Sequence, residues 1–447
     1  MKILSIALLT IFLLGAHALH GTALELHALH GTARELHTLH GAAQTPHVRT
    51  SVVPVFVSGT EGYRTFRIPA LIRLPSGDLL AFAEGRRNGM ADFGHIDIVM
   101  KRSTDLGRTW SPLQVAASND TLQAGNPAPV VDNSDPAYPK GRIFLFYNTG
   151  NASEGMVRNG KGYRQAWYKT SADGGVTWSD PVNITTQVHR PLQPAVNPAW
   201  DFKEDWRSCS NTPGHAIQFG EGLYKGRLFV AANHSEGPPQ PHFQDYHAHG
   251  YYTDDHGKTF HLSETVQVPG SNEVMAAALP GNGLMMNMRN QRGDVRARIV
   301  ALSKDGGETW DSTYMDLQLP DPVCQGSLLA LGEAGRGGHD DAGHGDVGHG
   351  GAGHGGVGYG AADHAILAFC NDASTHRRDS LTLRISYDEG RTWPKSFLID
   401  DGERQGITDT HKDPVAYSDM ADLGRHRIGI LYERENYAQI GFTVQRW

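Results

Sequence analysis

The sequence predicts an all-β fold built from a repeated hairpin, and three observations support this class. The phrase Ser-x-Asp-x-Gly-x-Thr-Trp occurs four times, and a weaker copy with Thr for Ser and Phe for Trp makes a fifth. No long amphipathic helical stretch stands out, and the 53 glycines suit a chain with many turns. A chain of 447 residues is also long enough to bury a large core.

Each copy of the phrase predicts a tight turn between two strands. The copies span Ser103–Trp110, Ser171–Trp178, Thr253–Phe260, Ser303–Trp310 and Ser386–Trp393. The Asp side chain can accept hydrogen bonds from the backbone just downstream, and the Gly supplies a positive φ at no steric cost. The closing aromatic residue anchors the turn by packing. A hairpin repeated at such intervals is typical of propellers, which are built from four-stranded blades.

Charge and cysteine content exclude two classes of protein. The net charge is −8, which argues against a nucleic-acid partner. Cys209, Cys324 and Cys370 are odd in number and far apart, so they do not predict a disulfide framework. We expect all three to lie buried as small apolar side chains.

The N-terminus has the pattern of a targeting segment. Lys2 precedes an apolar run over residues 3–14, and Ala16-His17-Ala18 fits a small-x-small cleavage site. We therefore predict a signal peptide over residues 1–18 and an exported protein, whether periplasmic, extracellular or lumenal. The apolar run is too short to span a bilayer comfortably, so no stable membrane insertion is expected after its removal.

Two segments have biased composition. Residues 19–49 contain a His-rich decapeptide repeat, and residues 335–364 are rich in Gly and His. Metal binding is one interpretation of both. Repeat expansion in a disordered leader and in a solvated insertion is the interpretation we favour, because such compositions bury too little apolar surface to become ordered. The remaining chain, residues 50–447, is predicted to be the folded domain that carries this insertion.

The motifs together resemble those of the sialidase family. The repeated phrase is similar to the Asp box of that family, and Phe66-Arg67-Ile68-Pro69 resembles its Phe-Arg-Ile-Pro signature upstream of the first box. The resemblance covers roughly residues 50–447. It implies a six-bladed β-propeller and a retaining exo-α-sialidase that removes terminal sialic acids from glycans without metal or cofactor.

A sialic acid carries a carboxylate on its anomeric carbon, and arginine forks suit such a planar anion. The resemblance assigns this clamp to Arg67, Arg289 and Arg378, with Arg377 as the adjacent alternative to the third member. It also implies that Glu433 orients the first arginine.

The resemblance further implies the reacting groups. A Tyr nucleophile avoids the repulsion that a carboxylate nucleophile would meet from the substrate carboxylate, and sialidases use one. Tyr417 matches that residue, and Glu273 matches the base that activates it. Asp92 matches the general acid, with Asp97 as its competitor, and Arg86 matches a residue that assists substrate binding.

The resemblance also assigns a sugar contact to Asp132, and the strand with His215 is expected to border the pocket for the sugar substituent. Three alternatives stay open at this point. The chain could be a catalytically silent propeller that binds glycans, a glycosidase for deaminated sialic acid, or a trans-sialidase. Linkage preference and oligomeric state are not predicted.

Overall fold

A computed structural model describes residues 51–333 and 365–447, which belong to one compact unit, Thr50–Trp447. The predicted signal peptide (1–18), the leader (19–49) and the Gly- and His-rich insertion (335–364) lie outside the described residues. Among the described helices, none has the length and hydropathy needed to cross a membrane.

Strands are the main regular secondary structure of the described residues, as predicted. The first nine are β1 Val53–Val57, β2 Thr65–Arg73, β3 Leu79–Arg86, β4 Ile96–Ser103, β5 Gln114–Ala117, β6 Gln123–Asp132, β7 Arg142–Gly150, β8 Arg164–Ser171 and β9 Val182–Asn183. The next nine are β10 Trp206–Asn211, β11 Ile217–Gln218, β12 Leu228–Glu236, β13 Tyr246–Thr253, β14 His261–Leu262, β15 Ser271–Ala278, β16 Leu284–Asn290, β17 Ala297–Ser303 and β18 Ser312–Pro320. The last seven are β19 Gly326–Glu333, β20 Ala365–Asp372, β21 Leu381–Ser386, β22 Lys395–Asp400, β23 Val415–Asp422, β24 Arg427–Arg434 and β25 Gln439–Arg446. Helical segments are short: α1 Glu154–Arg158, α2 Thr185–Val188, α3 Gly402–Gln405 and a 3-10 turn at Pro241–Phe243.

The strands form an all-β, sialidase-like propeller, but the predicted count of six blades is wrong. In the described part of the chain, four separate antiparallel sheets have the orders β15-β16-β17-β18, β19-β20-β21-β22, β10-β12-β13-β14 with β11 beside β12, and β1-β25-β24-β23. Strands β2–β9 form one continuous eight-stranded sheet instead of separate blades. The physical reason is a parallel pairing of Ile96 with Gln123, which hydrogen-bonds β4 to β6.

The turn mechanism predicted for the repeated phrase is confirmed. In the first copy, Asp105 Oδ1 accepts a hydrogen bond from the Thr109 amide at 2.9 Å, and Gly107 has a φ of 85°. A Cβ on Gly107 would lie 2.0 Å from the Phe442 ring, so the position excludes any side chain. Trp110 packs edge-on against the same ring, with centroids 5.5 Å apart. The phrase therefore ties a hairpin to the neighbouring sheet.

Strand β2 packs against β23, β23 packs against β19, and β19 packs against β15. These strands line the centre of the fold, and they carry the candidate site. The three cysteines are free and buried, as expected.

Candidate active site

One cavity of about 320 Å³ opens at the centre of the propeller, and its lining is mainly polar and charged. Seven of the residues predicted from sequence line it: Arg67, Arg86, Asp92, Glu273, Arg289, Arg378 and Tyr417. They come from segments spread over the whole chain, so the fold alone brings them together.

β-bulges aim the central strands' side chains into the cavity. The register shifts in β2 between Arg67 and Ala70, in β15 between Ser271 and Val274, and in β23 between Val415 and Ser418. Arg67, Glu273 and Tyr417 lie at or within these irregular steps. Bulges bend a strand and redirect its side chains, and they are common beside active sites. The same device explains the φ of 57° at Ile68, which follows Arg67 directly.

Three arginines converge on one side of the cavity, each with a different partner. Arg67 Nε donates to Glu433 Oε1 at 2.7 Å, and this carboxylate is fully buried. Arg289 Nη1 lies 2.7 Å from Glu273 Oε2. Arg378 Nη1 donates to the Tyr437 hydroxyl at 2.9 Å, and the nearest carboxylate oxygen, on Asp413, is 4.0 Å away. Together these side chains form a cationic surface suited to an anion.

Arg378, and not its neighbour, faces the cavity. Arg377 turns away and pairs with Asp379 at 3.0 Å, and it does not line the cavity. Glu433 lies behind the lining, where its Oε1 also accepts a hydrogen bond from the Ile68 amide at 2.8 Å. That double contact fixes both the guanidinium of Arg67 and the bulge beside it.

Tyr417 and Glu273 form a hydrogen-bonded pair. The Tyr417 hydroxyl donates to Glu273 Oε1 and lies 3.2 Å from Arg289 Nη1. Burial and the negative charge of Glu273 raise the pKa of Tyr417 well above its ordinary value. The side chain is therefore a neutral phenol whose proton already points at a carboxylate. A nucleophile next to a base within hydrogen-bonding reach is the arrangement that covalent catalysis requires.

Asp92 lies at the rim, on the loop between β3 and β4. Its side chain is 81% exposed, and its Oδ1 lies 2.7 Å from Arg86 Nη1. Desolvation acts to raise the pKa of Asp92, but the charges of Arg86 and Arg67 outweigh it and lower that pKa. Arg86 is held in turn by Glu84 Oε2 at 2.7 Å. Asp97, the alternative candidate for the general acid, is buried and does not line the cavity. It accepts a hydrogen bond of 2.8 Å from the Tyr63 hydroxyl.

The structure does not bring Asp132 to the cavity. Asp132 is fully buried nine residues beyond Gln123 on β6, about 30 Å further along the strand at the usual rise. Its carboxylate accepts hydrogen bonds from Ser134 and Gln218, and it contacts His256 Nδ1 at 2.7 Å. His215 likewise lies outside the lining and pairs with Asp419 at 2.8 Å.

Asp132, Asp135 and His256 are also the group of described residues whose ligand atoms lie close enough to hold a metal ion. The Asp132 oxygens are already occupied by hydrogen bonds, and Asp135 pairs with Arg142 at 3.0 Å. The group is therefore explained as a network that joins β6 to the third copy of the repeated turn.

Sequence reasoning missed most of the opposite side of the cavity. Its lining there includes Asn148, Glu154, Arg164, Ser210, Asn233, Phe243 and Tyr246. These residues lie on five strands (β7, β8, β10, β12 and β13), on α1 and in the 3-10 turn, and no repeated phrase marks them. Asn272 and Asn126 could have been found, because Asn272 adjoins Glu273 and Asn126 lies six residues before Asp132.

Comparison with known proteins gives one family. The sequence model of the BNR repeat-like domain matches residues 77–430. A sialidase of Micromonospora viridifaciens is 31% identical over 84% of this chain and 51% of its own length, and a sialidase of Bacteroides fragilis is 28% identical over 84% and 61%. This chain therefore spans about half to three fifths of the length of these two relatives.

Solved structures agree. The Hadza microbial sialidase Hz136 superposes with a TM-score of 0.67 and 26% identity over 88% of this chain and 68% of that one. Because the family match covers most of the propeller, this chain is a member of the sialidase family with BNR repeats.

Proposed function

We propose that this protein is an exo-α-sialidase that hydrolyses terminal α-linked sialic acids from glycans with retention of configuration. The observation that carries the proposal is one cavity in which three arginines face a hydrogen-bonded Tyr417–Glu273 pair. In a sugar whose carboxylate is attached to the anomeric carbon, the arginines that bind the carboxylate and the nucleophile that attacks this carbon must both contact the same sugar ring. Sialylated glycans are therefore the substrate class.

In the first step, Arg67, Arg289 and Arg378 hold the substrate carboxylate, and the Tyr417 oxygen attacks the anomeric carbon. The phenol proton passes to Glu273, and the bond to the leaving oxygen breaks as Asp92 protonates that oxygen. In the second step, Asp92 takes a proton from water, and the water oxygen attacks the anomeric carbon. The bond to the Tyr417 oxygen breaks as Glu273 returns its proton to that oxygen, which releases the sugar and restores the starting protonation states. Two displacements at one carbon give retention.

The surroundings of Asp92 support its role as a general acid whose pKa rises when substrate binds. Without substrate, the arginines lower the pKa of Asp92, which keeps it ionised and paired with Arg86. A bound substrate carboxylate offsets part of that positive charge, so the pKa of Asp92 rises when a proton donor is needed. Its exposed position leaves it free to move from Arg86 to the glycosidic oxygen.

We also propose that the segments outside the described residues keep the roles expected from sequence. Residues 1–18 act as a signal peptide for export, residues 19–49 are a leader, and residues 335–364 are an insertion between two strands of the domain over residues 50–447.

The test is release of fluorophore from 4-methylumbelliferyl α-N-acetylneuraminide by wild type, Tyr417→Phe and Tyr432→Phe. Tyr432 is a matched control that does not line the cavity. Its hydroxyl donates a hydrogen bond of 2.8 Å to the buried carboxylate of Asp400. We expect turnover by wild type and Tyr432→Phe, and loss by at least 10³-fold in Tyr417→Phe. A folded wild type that binds sialylated glycans without turnover would instead indicate the silent glycan-binding propeller.

A glycosidase for deaminated sialic acid is the second candidate function. The polar cavity lining around Asn148, Ser210 and Asn233 favours it. Hydroxyl groups suit such a lining as well as an N-acetyl group does. Parallel assays with the N-acetyl and deaminated substrates, with and without a lactose acceptor, separate these sugars and separate hydrolysis from transfer.

A further inference from the structure

We propose that Tyr437, together with Asp413, is a positioning pair that sets the geometry of the carboxylate clamp. The inference rests on the proposed sialidase function and adds a residue that lies outside the cavity lining. Tyr437 does not line the cavity, unlike Arg67 and Arg378, so any influence on the substrate must pass through the arginines.

Tyr437 contacts two of the three clamp arginines at once. Its ring lies under the Arg67 guanidinium, with 4.4 Å between Cζ and the ring centroid. Its hydroxyl oxygen accepts a hydrogen bond from Arg378 Nη1 at 2.9 Å. Arg67 lies on β2 and Arg378 on the loop between β20 and β21, so these two cations come from different sheets. A single rigid side chain therefore sets their spacing.

Asp413 orients the phenol for this task. The Tyr437 hydroxyl donates its one proton to Asp413 Oδ2, which leaves the oxygen lone pairs facing Arg378. Burial raises the pKa of Tyr437, so the group stays a neutral phenol with this polarity. Asp413 also supplies the carboxylate nearest to Arg378, at 4.0 Å.

The backbone around Tyr437 is strained and tightly held. Glu435, Asn436 and Tyr437 have φ values of 56°, 53° and 65°, a left-handed run that side chains disfavour. The Asn436 amide donates to the Asp413 carbonyl at 3.0 Å, and the Asp413 amide donates to Asn436 Oδ1 at 3.1 Å. Such strain persists only where the surroundings fix the conformation, and it clusters at functional sites.

Arg378 needs this support more than the other two arginines do. Arg67 and Arg289 each have a carboxylate at 2.7 Å, whereas Arg378 has the phenol at 2.9 Å and the carboxylate of Asp413 at 4.0 Å. Loss of the hydroxyl therefore frees the Arg378 guanidinium to rotate. The substrate carboxylate is present before and during the reaction, so a looser clamp weakens binding and leaves the chemical step unchanged.

The experiment compares Tyr437→Phe with Tyr432→Phe in the full-length protein. Phenylalanine keeps the ring under Arg67 and removes only the hydroxyl, and Tyr432→Phe makes the same change to another tyrosine–aspartate pair. We measure kcat and KM on the fluorogenic sialoside, and Kd for the 2,3-dehydro derivative of N-acetylneuraminic acid. For Tyr437→Phe we expect KM and Kd to rise about 10- to 100-fold at nearly constant kcat, because one hydrogen bond to a charged group is lost. Tyr432→Phe should leave all three values unchanged.

A second variant tests whether the two residues act as a unit. Asp413→Asn should raise KM in the same direction, and Tyr437→Phe/Asp413→Asn should be no worse than the more affected single variant. Unchanged KM and Kd in Tyr437→Phe would overturn the inference, as would equal changes in Tyr432→Phe or a loss confined to kcat. Wild type without turnover or ligand binding would instead contradict the proposed function itself.

Discussion

Acidification should destabilise the blade β10–β14 through three buried histidines. His189, His234 and His249 are at most 1% exposed. His234 stacks on Trp206 with ring centroids 3.5 Å apart, and its Nδ1 lies 3.0 Å from His249 Nδ1. Burial, with neighbouring histidines and Arg190, lowers the pKa of His189 and of His249 to about 3 and lowers that of His234 as well.

The size of the effect follows from proton linkage. An unfolded histidine has a pKa of about 6.5, so between pH 6.5 and pH 3 the unfolded chain binds protons that the folded protein does not. Stability therefore falls as the pH falls through this window. For a native pKa of about 3, the loss between pH 7 and pH 5 is about 2 kcal/mol per histidine. His189 and His249 together contribute about 4 kcal/mol, and His234 adds in the same direction.

Urea unfolding at pH 7 and pH 5 measures this loss, with His249→Gln and the exposed His261→Gln as the matched pair. We expect His249→Gln to be less stable at pH 7, yet to lose about 2 kcal/mol less than wild type between the two pH values. His261→Gln controls for the replacement of a histidine as such. Equal losses in wild type and His249→Gln would refute the reasoning, since the remaining carboxylates titrate in both.

Three further predictions concern buried charges near the cavity. Glu433→Gln leaves the Arg67 guanidinium beside a neutral partner, so we expect the free energy of unfolding to fall by about 3–5 kcal/mol; an unchanged urea midpoint would contradict this. Burial raises the pKa of Asp372 well above its ordinary value, so the folded protein keeps a proton that the unfolded chain loses above about pH 4. The resulting stability is lost as the pH rises, and Asp372→Asn should raise Tm at pH 8 but not at pH 4; equal shifts at both pH values would argue against it. Steady-state kinetics should show that Arg289→Lys mainly lowers kcat and that Arg378→Lys mainly raises KM. If kcat and KM change in the same way in both variants, Arg289 and Arg378 do not have different roles.

The part of the cavity that contains Arg67 and Tyr417 was predictable because its residues lie in or beside recognisable phrases. Arg67 follows a signature phenylalanine, and Tyr417 precedes a serine near the C-terminus. Asp132 was predicted in the same way, but it lies six residues beyond Asn126 on β6, about 20 Å further along the strand at the usual rise. Only the end of β6 with Gln123 reaches the cavity, which a motif match alone cannot reveal.

The blade count could not be read from the repeated phrase for a related reason. The phrase specifies a hairpin turn by bonds within about eight residues, such as Ser103 Oγ with the Gly107 amide at 2.8 Å. Where one sheet ends and the next begins depends on contacts between hairpins. Here a single parallel pairing, Ile96 with Gln123, continues a sheet that the local pattern would have ended.

Partner chemistry explains why Arg289 and Arg378 should respond differently. Glu273 accepts a hydrogen bond from the Tyr417 hydroxyl, and its other oxygen lies 2.7 Å from Arg289 Nη1. In the proposed mechanism Glu273 takes the Tyr417 proton as the nucleophile attacks, so Arg289 loses its negatively charged partner at that moment. In this mechanism, the attraction between Arg289 and the substrate carboxylate therefore strengthens along the reaction, and only such an interaction accelerates the chemical step. The phenol that supports Arg378 keeps its proton throughout, so that arginine holds ground state and transition state alike. In the proposed mechanism, Arg378 therefore contributes to binding, whereas Arg289 also accelerates the chemical step.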